Sequence, residues 1–200
     1  AQTTAITVTD VEIAITASQT GSVAESASSG ASVMTVATPG ATADNDFAIA
    51  SGNTGTAFAI NAASGAITTA AALDYETTSS YTLGIVASDG TTSHGPISFT
   101  GTVTDVNDQT PAVTVAATYS QAEAAATTFQ AFTMVDTDTT GSYDCTLGGT
   151  DSADFAKSVS GKVCTVTFAA NPNYESPADA DTDNVYDLTI AYTDGTNPLT

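Results

Sequence analysis

The stretch Thr102–Pro111, reading TVTDVNDQTP, crowds four oxygen-bearing side chains, Asp105, Asn107, Asp108 and Gln109, between a strand-like run and a proline. Such a run is neither a helix nor a core strand, because its polar side chains leave no apolar face and the proline ends it. Neighbouring carboxylates repel one another unless something positive sits among them. Hard divalent cations such as calcium prefer about six to eight oxygen ligands of this kind. The stretch therefore reads as a metal-filled hinge between two domains.

The remaining composition agrees with two domains. With 200 residues the chain can hold one large or two ordinary domains, each with its own core. The formal charge of −20 comes from 22 acidic residues against only Lys157 and Lys162. This argues against nucleic acid as a partner, since phosphate neutralisation needs a basic patch. Acidity at this level points instead to multivalent cations, a saline medium or both. No apolar run is long enough for membrane insertion, and no charged-then-apolar leader stands at the start. Ala, Thr, Ser, Gly and Asp dominate, and short alternating segments with β-branched residues are separated by Pro and Gly. That pattern predicts an all-β sandwich without a helix.

Laying the halves side by side reveals a repeat. Tyr81-Thr-Leu-Gly-Ile-Val-Ala-Ser-Asp-Gly90 runs in phase with Tyr186-Asp-Leu-Thr-Ile-Ala-Tyr-Thr-Asp-Gly195. Upstream, Leu73-Asp-Tyr-Glu76 matches Pro172-Asn-Tyr-Glu175, and Val23-Ala-Glu25 matches Gln121-Ala-Glu123. Three markers in one order make two tandem modules.

With Pro111, the Asp105–Gln109 run resembles the inter-repeat linker of the cadherin superfamily, Asp-x-Asn-Asp-Asn followed by Pro, and departs from it only at Gln109. Phe58-Ala-Ile60 and Ser64-Gly-Ala-Ile67 are similar to the family's Phe-x-Ile…Thr-Gly-x-Ile segment. The resemblance is strong over residues 15–111. The second half is more divergent, closer to the cadherin-like repeats of bacterial and archaeal surface proteins. It implies two Greek-key β-sandwiches of cadherin-like, Ig-like type, located outside the cell, with calcium at the seam between modules. Carried over residue by residue, the implied ligands are Glu25, Asp74 and Glu76 from module 1; Asp105, Asn107 and Asp108 from the linker; and Asp136, Asp138 and Asp194 from module 2. The placement of glutamate supports this set. Of five in the chain, Glu25, Glu76, Glu123 and Glu175 fall on the family's two glutamate positions in each module, and Glu12 lies in a second linker-like sequence. Purely solubilising acids would scatter freely, which remains the better reading for the other aspartates.

Some positions depart from the family. Module 1 has Thr38-Pro-Gly40 where an Asp-x-Asp is expected, with Asp44 and Asp46 nearby as substitutes. Asn173 replaces an Asp. The loop Asp179-Ala-Asp-Thr-Asp-Asn184 alternates acids as a calcium-wrapping loop does, but lacks the Gly and distant Glu of an EF-hand. A bound ion and a solvated loop both remain open there.

Cys145 and Cys164 are the only cysteines and lie in strand-like segments, so an exported chain is expected to pair them. Two thiols and the remote His94 cannot make a zinc site. No nucleophile elbow or Cys–His pairing is present, and the Asp74/Glu76 pair is better explained by the repeat than by hydrolysis. No enzyme is expected.

The ends differ from the family most. Module 1 continues past Asp89-Gly90 through a last strand, Ile97–Asp105, whereas Asp194-Gly195 is followed only by Thr-Asn-Pro-Leu-Thr. A surplus strand-like run, Thr4–Glu12, stands at the other end and shares Thr-Val-Thr-Asp-Val with Thr102–Val106. The expected organisation is thus a donor strand at 1–12, module 1 at 13–106, and module 2 at 107–200 lacking its last strand. Donating the strand to a neighbouring copy, with Ile6 and Val8 entering its groove, removes an exposed edge and generates a head-to-tail polymer. Asp10 and Glu12 would then meet Glu123, Asn173 and Glu175, with Asp89 of the donor, in a second calcium site. Two functions follow. One is an extracellular structural subunit polymerising by donor-strand complementation into a calcium-stabilised filament, tube or sheet. The other is a calcium-dependent adhesive fragment of a longer multi-repeat cell-surface protein.

Overall fold

A computed structural model describes residues 4–5, 7, 14–38, 46–114, 118–123, 127–196 and 198–199. The chain divides into two units, Ala1–Val106 and Asn107–Thr200. Ile6, Val8, Asp10, Glu12 and Asp44 fall outside the described residues.

In the first unit, β1 (Gln19–Ala24), β3 (Asp46–Ser51), β6 (Ser80–Ser88) and β7 (Ser93–Thr104) form one sheet in the order β1-β7-β6-β3. The other sheet is β2 (Ser32–Thr35), β5 (Ala66–Thr69) and β4 (Phe58–Ile60), in the order β2-β5-β4. Alternation decides which side chains turn inward. Leu83, Ile85 and Ala87 of β6 and Phe99 and Val103 of β7 meet Phe58 and Ile67 in the core, and all are essentially buried. β7 is the hinge of this sheet, since it pairs antiparallel with β6 and parallel with β1, where Gly21 lies opposite Gly101.

The second unit repeats the plan with changes. β10 (Asp144–Gly148), β13 (Thr189–Thr193) and β14 (Pro198–Leu199) make one sheet, in that order. β11 (Phe155–Ser160), β12 (Val163–Phe168), β9 (Thr128–Val135) and β8 (Ala112–Val113) make the other. Its core gathers Phe132, Met134, Phe155, Val166, Phe168 and Tyr192 around Cys145 and Cys164. These two cysteines are joined, with Cα atoms 6.2 Å apart. Because one sits on β10 and the other on β12, the bond ties the two sheets face to face.

Among the described residues, each unit has one short 3-10 turn between equivalent strands, Thr54–Thr56 and Ser152–Asp154. The glycine ahead of each turn is required. Gly52 and Gly149 have φ of 78° and 96°, and a Cβ at either would strike the backbone carbonyl of Thr82 or Asp187 respectively. Those two carbonyls lie one residue after the matched Tyr81 and Tyr186, so the sequence repeat is also a repeat of this close backbone approach.

The units differ most where β7 lies in the first. Where the sequence shows no last strand for the second unit, a two-residue strand, β14, pairs with β13 through Tyr192–Leu199 and Thr193–Pro198. The same registers in the first unit begin the long β6–β7 ladder. Residues 118–123, which correspond to β1, form no strand. The result is a groove of about 690 Å³ beside β13, walled by Tyr119, Phe129, Phe155, Phe168 and Tyr186. In the first unit, the gap next to Phe99 of β7 measures only about 10 Å³.

Candidate metal centres

In the first unit the site grows from Glu25, which follows β1 and is 6% exposed. Its carboxylate accepts the amide of Tyr75 at 2.6 Å through Oε2 and that of Val106 at 2.6 Å through Oε1. Glu25 thereby fastens the turn before β6 and the chain leaving β7 to the end of β1. That brings Glu76 and Asp105 beside it, and one carboxylate oxygen from each of the three lies within 4.8 Å of the others. Asp74 does not join them. It closes its own turn, accepting the Thr77 amide at 2.9 Å and the Thr77 hydroxyl at 2.8 Å. These bonds, led by the hydroxyl, hold its carboxyl below the usual range.

The second unit builds its cluster from Asp136 and Asp138 after β9 and Asp194 at the end of β13, again within 4.8 Å of one another. Asp138 and Asp194 are 1% and 0% exposed. Backbone bonds set the cluster: Gln109 N–H donates to Asp138 Oδ2 at 2.9 Å, and Thr196 N–H to Asp194 Oδ1 at 2.8 Å. Asn107 donates through Nδ2 to the Asp194 carbonyl at 3.2 Å. Asp108 is exposed and accepts from the Gln109 side chain at 2.7 Å. Two residues not singled out in the sequence support the loop. Tyr143 donates its hydroxyl to Asp136 Oδ2 at 3.0 Å, and Lys162 donates to the carbonyls of Asp136 and Asp138 at 2.8 and 3.3 Å. Burial raises the Tyr143 hydroxyl above its ordinary value, so it stays a donor. Neither has a sequence signal, since one is an aromatic just ahead of β10 and the other a turn lysine.

Among the described residues, the one ion pair is Lys157–Asp144, at 2.5 Å. Three hard oxygen donors each, partly or fully buried, fit calcium, which would be held by Glu25, Glu76 and Asp105 in one unit and by Asp136, Asp138 and Asp194 in the other.

The remaining expected ligands are only partly brought together. Glu123 accepts the Tyr174 amide at 2.9 Å, the counterpart of the Glu25–Tyr75 bond. Asn173 caps its turn by accepting from Glu175 and Ser176 at 3.0 and 3.2 Å, as Asp74 does in the first unit. Asp89 accepts from the amides of Thr92 and Thr91, at 2.7 and 2.8 Å, which lower its pKa. Asp10 and Glu12 are outside the described residues.

Residues 19–105 match the cadherin domain family. The chain is 32% identical over 148 residues to protocadherin gamma-A6 of Homo sapiens and of Pan troglodytes, covering 71% of this chain and 15% of each relative. It is 47% identical over 73 residues to human protocadherin-23, 34% of this chain and 2% of that protein. Among solved structures, extracellular cadherin domains 3-6 of protocadherin gamma B2 superpose with a TM-score of 0.67 at 22% identity, covering 94% of this chain and 44% of that one. The human desmocollin-1 ectodomain gives 0.67 at 20% identity, covering 92% and 38%. The chain thus spans a small part of the curated relatives it matches.

Proposed function

Since the chain is built of cadherin-superfamily repeats and is extracellular as such repeats are, we propose that it is an adhesive segment of a multi-repeat cell-surface protein, rigidified by calcium. It acts by binding, not catalysis. The observation that carries this is the pair of three-carboxylate clusters, one in each unit. Self-association is the natural mode of adhesion for such a segment. One similar solved structure, that of protocadherin gammaB7 domains 3-6, is described as a cis-dimer. The disulfide fits an oxidising, extracellular setting.

Calcium titration of the chain by calorimetry tests the reading. Binding heat and a melting temperature that climbs with calcium are expected; the absence of both would overturn it. Beads coated with the chain should cluster in calcium and disperse in chelator.

The groove of the second unit favours a second reading, in which copies join head to tail by donating strands. In the first unit the equivalent space is filled by β7, which runs out through Thr102-Val-Thr-Asp-Val106, and the same five residues recur at Thr7–Val11. Ile6 and Val8 of one copy would enter the groove of the next, each contributing about 1.5–3 kcal/mol by burial. Electron microscopy of the chain with calcium, with and without residues 1–9, tests it. Filaments that need those residues support strand donation, and filaments indifferent to them exclude it.

A further inference from the structure

We propose that the loop Asp179–Asn184 of the second unit is a third calcium site, separate from the two clusters above and independent of the function proposed for them. Asp179, Asp181 and Asp183 each offer a carboxylate oxygen, all within 4.8 Å of one another. A cluster of acids alone is ordinary on so acidic a chain, but Asp179 sets this one apart. It is 2% exposed, and its Oδ1 is buried without a hydrogen-bond partner. Its other oxygen, Oδ2, accepts the Asp183 amide at 2.8 Å, which fixes the carboxylate in the bend of the loop. A buried carboxylate oxygen left bare is costly, and the structure is satisfied only if a proton or a cation meets it.

The surroundings favour the cation. A proton would neutralise one of three acids, whereas an ion shared among them answers all three at once. The chain cannot supply the charge itself. Of its two lysines, Lys157 is engaged with Asp144 and the Cys145 carbonyl, and Lys162 with the carbonyls of Asp136 and Asp138. The loop is also held from behind. Buried Asp151 accepts the amides of Ala180 and Asp187, both at 2.7 Å, so both ends of the acidic bend are anchored before any ion arrives. An irregular, all-oxygen site completed by water suits calcium better than magnesium, which demands near-octahedral geometry. The same segment supplies Asn184, Val185, Tyr186 and Asp187 to one wall of the groove beside β13. An ion here orders that wall.

The test is calcium titration of the full chain by calorimetry and native mass spectrometry, alongside D179N and D181N. Asp181 is exposed, so D181N keeps the fold intact should D179N disturb it. The parent should bind one more ion than D179N, and D181N should weaken one ion by at least tenfold while the others bind as before. In hydrogen exchange, calcium should slow the amides of residues 180–187 in the parent and not in either variant. Equal ion counts and affinities in all three proteins overturn the site, even where binding at Glu25 or Asp194 persists. A parent that binds no ion at all overturns both this site and the function above. E25Q combined with D138N separates the cases, because it should lose the cluster ions and keep the loop ion.

Discussion

Glu25 shows how much one side chain can organise. Its two oxygens satisfy amides from residues 75 and 106, far apart in sequence, and present a charge to Glu76 and Asp105. Glu25→Ala should leave two partly buried amides unpaired and cost on the order of 2–4 kcal/mol, read as a lower urea midpoint with unchanged slope. Glu25→Gln should keep much of that stability and lose the calcium-dependent part. Gly149→Ala meets a carbonyl and an unfavourable φ together, so it should destabilise by more than about 1 kcal/mol, and Gly52→Ala should do the same in the first unit. Asp144 illustrates a pH effect. Its hydrogen bond from Lys157, then the Cys145 amide, depresses its pKa. The associated stability is present above the ordinary carboxylate range and is lost as the pH falls through the folded value. The Tm gap between the parent and Asp144→Asn should therefore narrow on going from pH 6 to pH 3.

At the level of strands, the modules were legible because alternation, Asp-Gly turns and the Leu-x-Tyr-Glu type marker all follow from local chemistry that survives divergence. Tyr81, Leu83 and Ile85 point to one core because every second side chain must. The clusters were legible only in part. Glu25, Glu76 and Asp105 gather in the first unit and Asp136, Asp138 and Asp194 in the second, but Asp74 and Asn173 accept the amides of Thr77 and of Glu175 and Ser176, since a short polar side chain at the head of a turn finds its nearest partners in that turn. Tyr143 and Lys162 carry no sequence signal, because a side chain that props a loop through its carbonyls is recognised only once the loop is built. β14 escaped notice for another reason: two residues fall below any periodicity. Cys145 and Cys164 did not declare that they lie on opposite sheets. Replacing both with alanine should remove a closed loop and cost roughly 3 kcal/mol in the chain-entropy estimate, seen as a lower Tm for the second unit alone.

For the whole chain, 22 acids against two lysines should make stability depend on the cation supply. Each calcium ion that binds only the folded form adds about 2.7 kcal/mol at a hundredfold excess over its dissociation constant. Melting curves in chelator should therefore shift downward, and monovalent salt should restore only part of the loss. Under tension, the bond between β10 and β12 sets a limit. Cys145 and Cys164 are 19 residues apart in sequence, and the segment between them cannot lengthen while they are joined. Pulled from its ends, the second unit should release roughly 60 Å less contour than the first per residue of its length would predict, and a reductant should restore the missing extension in an optical trap. The staple makes one repeat a shorter tether than its neighbour, so that a bond ruptured by force pays out less chain before the next link takes the load.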